Sequence, residues 1–99
     1  MKLRIQSINF DVAAQLESFI EKKVAKLEKT FEKIESIDVY LKVVKPETAE
    51  NKTAEIKVAA PGVDFFASKT CDTFEEAVVL AVEALDKQIQ KHKDKTIKN

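Results

Sequence analysis

The two side chains whose free pKa values best suit nucleophilic or proton-transfer chemistry near neutral pH are His92 and Cys71, and each type occurs once. A catalytic histidine needs a carboxylate to orient it and a nucleophile to serve. His92 stands in Gln90-Lys91-His92-Lys93-Asp94-Lys95, where lysines surround it and Asp94 is the one nearby acid. It reads as a solvated or phosphate-adjacent ring. Cys71 lies at a turn just before a helix, where a thiol can be activated, but a small loop residue is the plainer reading. One cysteine excludes a disulfide framework and a Cys-based zinc site. One glycine leaves no phosphate loop. Glu75 and Glu76 read as helix-capping residues and not as an acid/base pair. The expectation is a protein that is not an enzyme, with no cofactor, no metal and no small-molecule substrate.

Charge placement carries more. Lys plus Arg and Asp plus Glu both number 17, so the formal net charge is zero and no uniform basic coat exists. The charges are nevertheless sorted. At about 100° per residue, with Lys22 set to zero, Lys26, Lys29 and Lys33 fall at about 40°, −20° and 20°. Glu17, Glu21, Glu28, Glu32 and Glu35 fall between about 220° and 280°, and Lys23 borders the apolar stripe at about 100°. A solvated helix with interspersed ion pairs would mix the signs; this one separates them. A cationic row on a helix suits a phosphate backbone. The second helical segment carries Glu75, Glu76, Glu83 and Asp86 early and Lys87, Lys91, His92, Lys93, Lys95 and Lys98 late. Part of that is macrodipole compensation, yet Lys87, Lys91 and Lys95 recur at i, i+4, i+8.

The elements that position these residues follow from hydrophobic period. Residues 2–8 alternate as a strand, with Leu3 and Ile5 against Arg4 and Gln6. Leu16, Phe19, Ile20, Val24, Leu27, Phe31 and Ile34 recur at steps of 3 and 4, predicting a helix over about 12–34 with Asp11 as N-cap. Residues 37–45, 53–60 and 63–69 return to period 2. Pro61-Gly62 fits a type II turn between the last two strands. Thr73-Phe74-Glu75-Glu76 is a capping box opening a helix from 74 to about 92. The order β-α-β-β-β-α makes the first two strands parallel through a right-handed crossover. The fold class is α+β, with two helices packed on one face of a mixed four-stranded sheet. At 99 residues this is one domain, 1–95, with a short basic tail over 96–99. Leu16, Phe19, Ile20, Val24, Leu27, Phe31, Leu41, Ile56, Phe65, Val78, Leu85 and Ile89 are expected to be buried. No apolar run approaches membrane length and Met1-Lys-Leu-Arg opens no signal peptide, so the expected address is cytoplasmic, with no membrane partner.

Lys26-Leu27-Glu28, Val39-Tyr40-Leu41-Lys42-Val43, Phe66-Ala67-Ser68 and above all Gln88-Ile89-Gln90-Lys91-His92-Lys93-Asp94-Lys95 resemble the ribosome hibernation promoting factor family, which includes ribosome-associated inhibitor A and carries the older label sigma-54 modulation protein. The resemblance spans essentially the whole chain. It implies a protein that sits on the small ribosomal subunit in the channel for messenger RNA and transfer RNA, contacts 16S-type rRNA phosphates, and blocks translation in stationary phase or stress. Its matching basic positions are Lys23, Lys26 and Lys33 on the first helix, Lys42 and Lys45 on strand two, and Lys87, Lys91, Lys93 and Lys95 on the second helix; Lys22 and Lys29 extend the row by the wheel, and His92 accompanies it. Relatives often carry a further basic residue where this chain has Ala84, with Asp86 beside it. The chain ends soon after the second helix, so neither the C-terminal dimerisation domain of long family members nor the polar tail of the inhibitor-A branch is expected, and off the ribosome a monomer is expected. The alternatives are a generic double-stranded RNA-binding domain, RNA stacking on the open sheet face through Tyr40 and Phe66, and a protein-interaction adaptor using the acidic flank.

Overall fold

A computed structural model describes residues 2–8, 10–44 and 49–97, with the side chains of 94–97 outside that description. The elements are β1 (Lys2–Ser7), α1 (Ala14–Thr30), β2 (Ser36–Val43), β3 (Lys52–Ala60), β4 (Val63–Cys71) and α2 (Phe74–Ile97). The strands lie in the order β1-β2-β3-β4. β1 runs parallel to β2, with Leu3 opposite Ile37 and Ile5 opposite Val39. The β2/β3 and β3/β4 pairs are antiparallel. This is the expected α+β arrangement.

Side-chain alternation explains the layers. Ile37, Val39 and Leu41 of β2, Ala54, Ile56 and Val58 of β3, and Phe65 and Ala67 of β4 are buried and share one sheet face. Ile20, Val24 and Leu27 from α1 and Ala77, Val78, Ala81, Val82, Leu85 and Ile89 from α2 join them in one core. The other face carries Arg4, Asp38, Tyr40, Lys42, Glu55, Lys57, Phe66 and Ser68, since period 2 puts every second side chain there. Arg4 and Asp38 pair across β1 and β2 at 2.8 Å, and Lys42 pairs with Glu55 at 3.0 Å.

The punctuation is partly as expected. Gly62 has φ +76°, the left-handed value that the third position of a type II turn requires. The Glu76 N–H donates to Thr73 Oγ1 at 3.1 Å and the Ala77 N–H to the Thr73 carbonyl at 3.1 Å, so Thr73 caps α2. Asp11 does not cap α1. The helix starts at Ala14 behind an extended Ala13 with ψ 148°, with no side-chain cap. Phe10 stacks on Phe74 at 5.1 Å between ring centroids, and Phe10 and Val12 pack on the core. Burying those two side chains outweighs the ~1 kcal/mol a cap contributes.

α1 also ends early, at Thr30. Phe31 is extended at φ −141° and turns out of the helix to set its ring edge-on to Phe65 and His92, at 6.2 and 5.9 Å. Ile34 stays buried beyond a short turn, so the helical spacing of Leu27, Phe31 and Ile34 comes from a turn and not from a continuing helix. At the far end α2 runs to Ile97, past the expected end near residue 92. No Gly or Pro interrupts that stretch, and its lysines suit a helix C-terminus.

Leu16, Phe19 and Phe31 are half-buried and not fully buried as expected; the other nine residues expected in the core are buried. Leu16 and Phe19 sit in the first turns of α1, and Phe31 caps the aromatic cluster from its rim. Phe31→Ala is accordingly expected to cost about 2–3 kcal/mol, below the 3–5 kcal/mol of a fully enclosed phenylalanine. Equilibrium urea unfolding measures this directly.

Candidate nucleic-acid interface

Contacts between the helices fix which flank of each faces the other. Thr30 Oγ1 lies 3.2 Å from a carboxylate oxygen of Asp86, and Lys93 Nζ donates to the Thr30 carbonyl at 2.9 Å. On the wheel with Lys22 at zero, Thr30 lies at about 80°, so the α2 side of α1 is the side that carries Lys26 and Lys23. The flank holding Glu17, Glu21 and Glu28 turns away from α2. The groove between the helices is lined by Lys26, Leu27, Lys29 and Thr30 on one wall and by Val82, Glu83 and Asp86 on the other.

Setting Asp86 to zero on α2 puts Lys93 at about −20°, Glu83 at 60°, Lys87 at 100°, Lys91 at 140° and Gln88 at 200°. Gln88 reaches β4, so Lys87 and Lys91 lie on the outer surface of the helix between the groove and the β4 edge. The two lysine rows therefore share the outer surface of the helical layer but not one groove. Glu83 and Asp86 stand between them.

Exposure sorts the individual residues. Lys22, Lys26, Lys29, Lys33, Lys87 and Lys91 are exposed. Lys33 lies in the turn after α1, as do Glu32 and Glu35, so the helical rows hold Lys22, Lys26 and Lys29 against Glu17, Glu21 and Glu28. Lys23 is half-buried with its ammonium 5.4 Å over the Phe19 ring, a cation–π contact that draws it toward the protein. Lys93 is occupied as a cap on the Thr30 carbonyl at the end of α1, where a cation is favoured by the helix dipole. Lys42 is on the opposite, open face of the sheet, bound to Glu55, and so is not brought together with the helix lysines. Its outward position follows from alternation with Leu41 and Val43. Lys45 and the side chain of Lys95 lie outside the described residues.

His92 is not a solvated ring. It is half-buried and meets Phe31 and Phe65 edge-on at 5.9 and 5.6 Å, closing the core where α1, β4 and α2 converge. Cys71 is buried as well. Burial pushes its thiol pKa up, and Glu76, Glu50 and Asp72 add to this while Lys69 opposes it. That is the reverse of thiolate activation. Alkylation of Cys71 by iodoacetamide at pH 8 is expected to be about 100-fold slower or more in the native protein than in denaturant. Because the folded thiol ionises later than the unfolded one, stability falls as the pH rises through the ordinary thiol range, about 8.5 and above. Among the described residues no group of three or more His, Cys, Asp and Glu is arranged for a metal ion, and no helix is long and apolar enough to cross a membrane.

The outer surface of the helical layer is thus a phosphate-facing candidate built from Lys22, Lys26, Lys29, Lys87 and Lys91. Residues 3–97 match the family model described as Sigma 54 modulation protein / S30EA ribosomal protein. The chain belongs to that family. It is 33% identical over 100 residues to the ribosome hibernation promoting factor of Escherichia coli strain K12, covering 96% of each chain. It is 29% identical over 97 residues to that of Azotobacter vinelandii, covering 98% of this chain and 87% of the relative. A ribosomal subunit interface protein from Coxiella burnetii superposes with a TM-score of 0.85 at 22% identity, covering 95% of this chain and 99% of that one. The N-terminal domain of Thermus thermophilus Protein Y gives 0.78 at 22% identity, covering 93% and 99%. These structural likenesses establish the fold.

Sequence reasoning missed the junction of Thr30, Asp86 and Lys93. The signal was present: Asp86 and Lys93 are seven residues apart, hence on one helical face. As one of the early acids of the second helix, and as an acid beside Ala84, Asp86 gives no sign in the sequence of its partner on α1. Ala84 itself is half-buried against the core.

Proposed function

We propose that this protein binds the small ribosomal subunit through rRNA phosphates and holds idle ribosomes inactive in stationary phase or stress. The observation that carries the reading is the family membership over residues 3–97, with relatives named ribosome hibernation promoting factors matching over most of their length, 96% of the Escherichia coli protein and 87% of the Azotobacter vinelandii one. The exposed lysines add the chemistry. Lys22, Lys26 and Lys29 on α1 and Lys87 and Lys91 on α2 can neutralise phosphates without reading base sequence. Lys33 and Lys23 extend the same surface; Lys93, His92 and Lys42 serve the fold or the other sheet face first. Glu83 and Asp86 between the rows repel a phosphate that approaches the groove centrally, which favours an RNA surface that meets the two rows separately.

The mechanism is occupancy. The folded chain measures 50 × 23 × 19 Å, a body of the size that fills a channel admitting messenger RNA and transfer RNA stems. Bound there by phosphate contacts, it competes with both ligands and performs no chemistry. A generic double-stranded RNA-binding module is disfavoured by the parallel β1/β2 pair at the sheet edge. Stacking on the open face is disfavoured by the Arg4–Asp38 and Lys42–Glu55 pairs that occupy it, with Tyr40 half-buried.

Titrating the protein into a purified translation system tests this. Inhibition is expected to saturate near one protein per ribosome, to be relieved by excess initiator transfer RNA and messenger RNA, and to leave rRNA intact. Saturation far below one per ribosome, or cleaved rRNA, would replace occupancy with catalysis.

A further inference from the structure

β4 is the last strand of the sheet, so among the described residues its outer edge has no neighbouring strand. An open edge is a template for another chain. Gln88 of α2 covers this one at Phe66. The Phe66 N–H donates to Gln88 Oε1 at 3.3 Å, and Gln88 Nε2 donates to the Phe66 carbonyl at 2.8 Å. A primary amide carries the same donor and acceptor as a peptide unit, so Gln88 meets Phe66 as a neighbouring strand would. In an antiparallel ladder the outward-facing residues alternate, which places Asp64, Ser68 and Thr70 on the same edge as Phe66.

We propose that the β4 edge is a pairing surface for β4 of a second copy of this chain, and that Gln88 holds it shut. The occupant follows from the edge itself. An antiparallel two-fold pairing centred on Phe66 sets Phe66 against its own counterpart and Asp64 against Ser68, so the outward main-chain groups of these three residues meet partners. The Phe66 side chain, 54% exposed on the open sheet face, would then bury against its copy as an aromatic cross-strand pair. No like charges stand directly opposite, because Lys69 meets Val63. At nine residues β4 is longer than the six-residue β1 edge. Lys91, about 60° from Gln88 on the same flank of α2, would approach its counterpart as α2 meets α2, and this repulsion reinforces the closure.

The inference is independent of ribosome binding and is tested on the isolated protein. Gln88→Met keeps side-chain length and helix propensity while removing both hydrogen bonds, and Gln88→Ala removes the side chain. Each is examined by sedimentation velocity over a concentration series and by amide hydrogen exchange at Phe66. Wild type is expected to be monomeric with a protected Phe66 amide. The variants are expected to retain the wild-type circular dichroism spectrum and to dimerise with concentration, more so at high salt, which screens the lysines. The Phe66 amide should exchange at least about tenfold faster in dilute variant and regain protection in the dimer. Adding Ser68→Pro, which deletes an outward N–H on the edge, should return Gln88→Ala to a monomer. Folded variants that stay monomeric throughout would overturn the proposal. So would a dimer whose Phe66 amide remains fast, or one indifferent to Ser68→Pro.

Discussion

Reversing Lys26 and Lys91 together to glutamate is expected to release the protein from small ribosomal subunits at physiological salt without unfolding it. Both side chains are exposed, one on each helix, on the outer surface of the helical layer. Each lysine that neutralises a phosphate adds about 0.7–0.9 to the slope of log affinity against log salt. Losing two such contacts and placing two anions against phosphate should reduce affinity on the order of 100-fold or more, and lower the slope by about two. Surface substitutions of this kind usually change stability by no more than about 0.5 kcal/mol, so the thermal midpoint should stay near wild type. Co-sedimentation through sucrose gradients at several salt concentrations, beside a thermal melt, gives both readings. A folded double variant that co-sediments as wild type does would move the interface elsewhere on the molecule. Reversing Lys42 is the matched control: on the open sheet face and paired with Glu55, it should cost far less binding.

The largest stability effect is expected at Leu85. It is fully buried on α2 within the one core that joins both helices to the sheet. Leu85→Ala removes apolar contact and leaves a cavity that closely packed neighbours fill only in part. The expected loss is about 3–4 kcal/mol, a large share of the 5–15 kcal/mol that holds a domain of this size together. A midpoint fall of about 15 °C or more follows. Calorimetry or urea unfolding reads it, and a loss under about 1 kcal/mol would show that the core closes around the gap. Together with Phe31→Ala on the rim, the pair grades the core from centre to edge.

Element order, the parallel first pair, the layer arrangement and most of the core were legible in the sequence. The reason is that the hydrophobic period switches cleanly: steps of 3 and 4 over Leu16–Leu27, alternation over Ile37–Val43, and helical steps again from Phe74. Turn chemistry added two points, at Thr73 and at Gly62, because a cap hydroxyl and a positive φ are local requirements that neighbouring residues reveal. The separation of lysine from glutamate along α1 was legible for the same reason, since it needs only the geometry of one helix.

What the sequence could not decide was whatever depended on a partner from another element. The start and end of α1 moved because Phe10 stacks on Phe74 and Phe31 turns toward Phe65 and His92, long-range contacts worth more than a local cap or one more helical turn. His92 looked solvated in a run of lysines; only the meeting of α1, β4 and α2 makes it an aromatic neighbour. Lys23, Lys93 and Lys42 are equal to Lys26 and Lys91 as letters, and the tertiary structure separates them by giving the first a phenyl ring, the second the end of α1, and the third Glu55 on the far side of the sheet. Whether two lysine rows share a groove is a question about the rotation of one helix relative to another. Packing of Leu85 and Ile89 into the sheet sets that rotation, and it turned Glu83 and Asp86, not Lys87 and Lys91, toward α1.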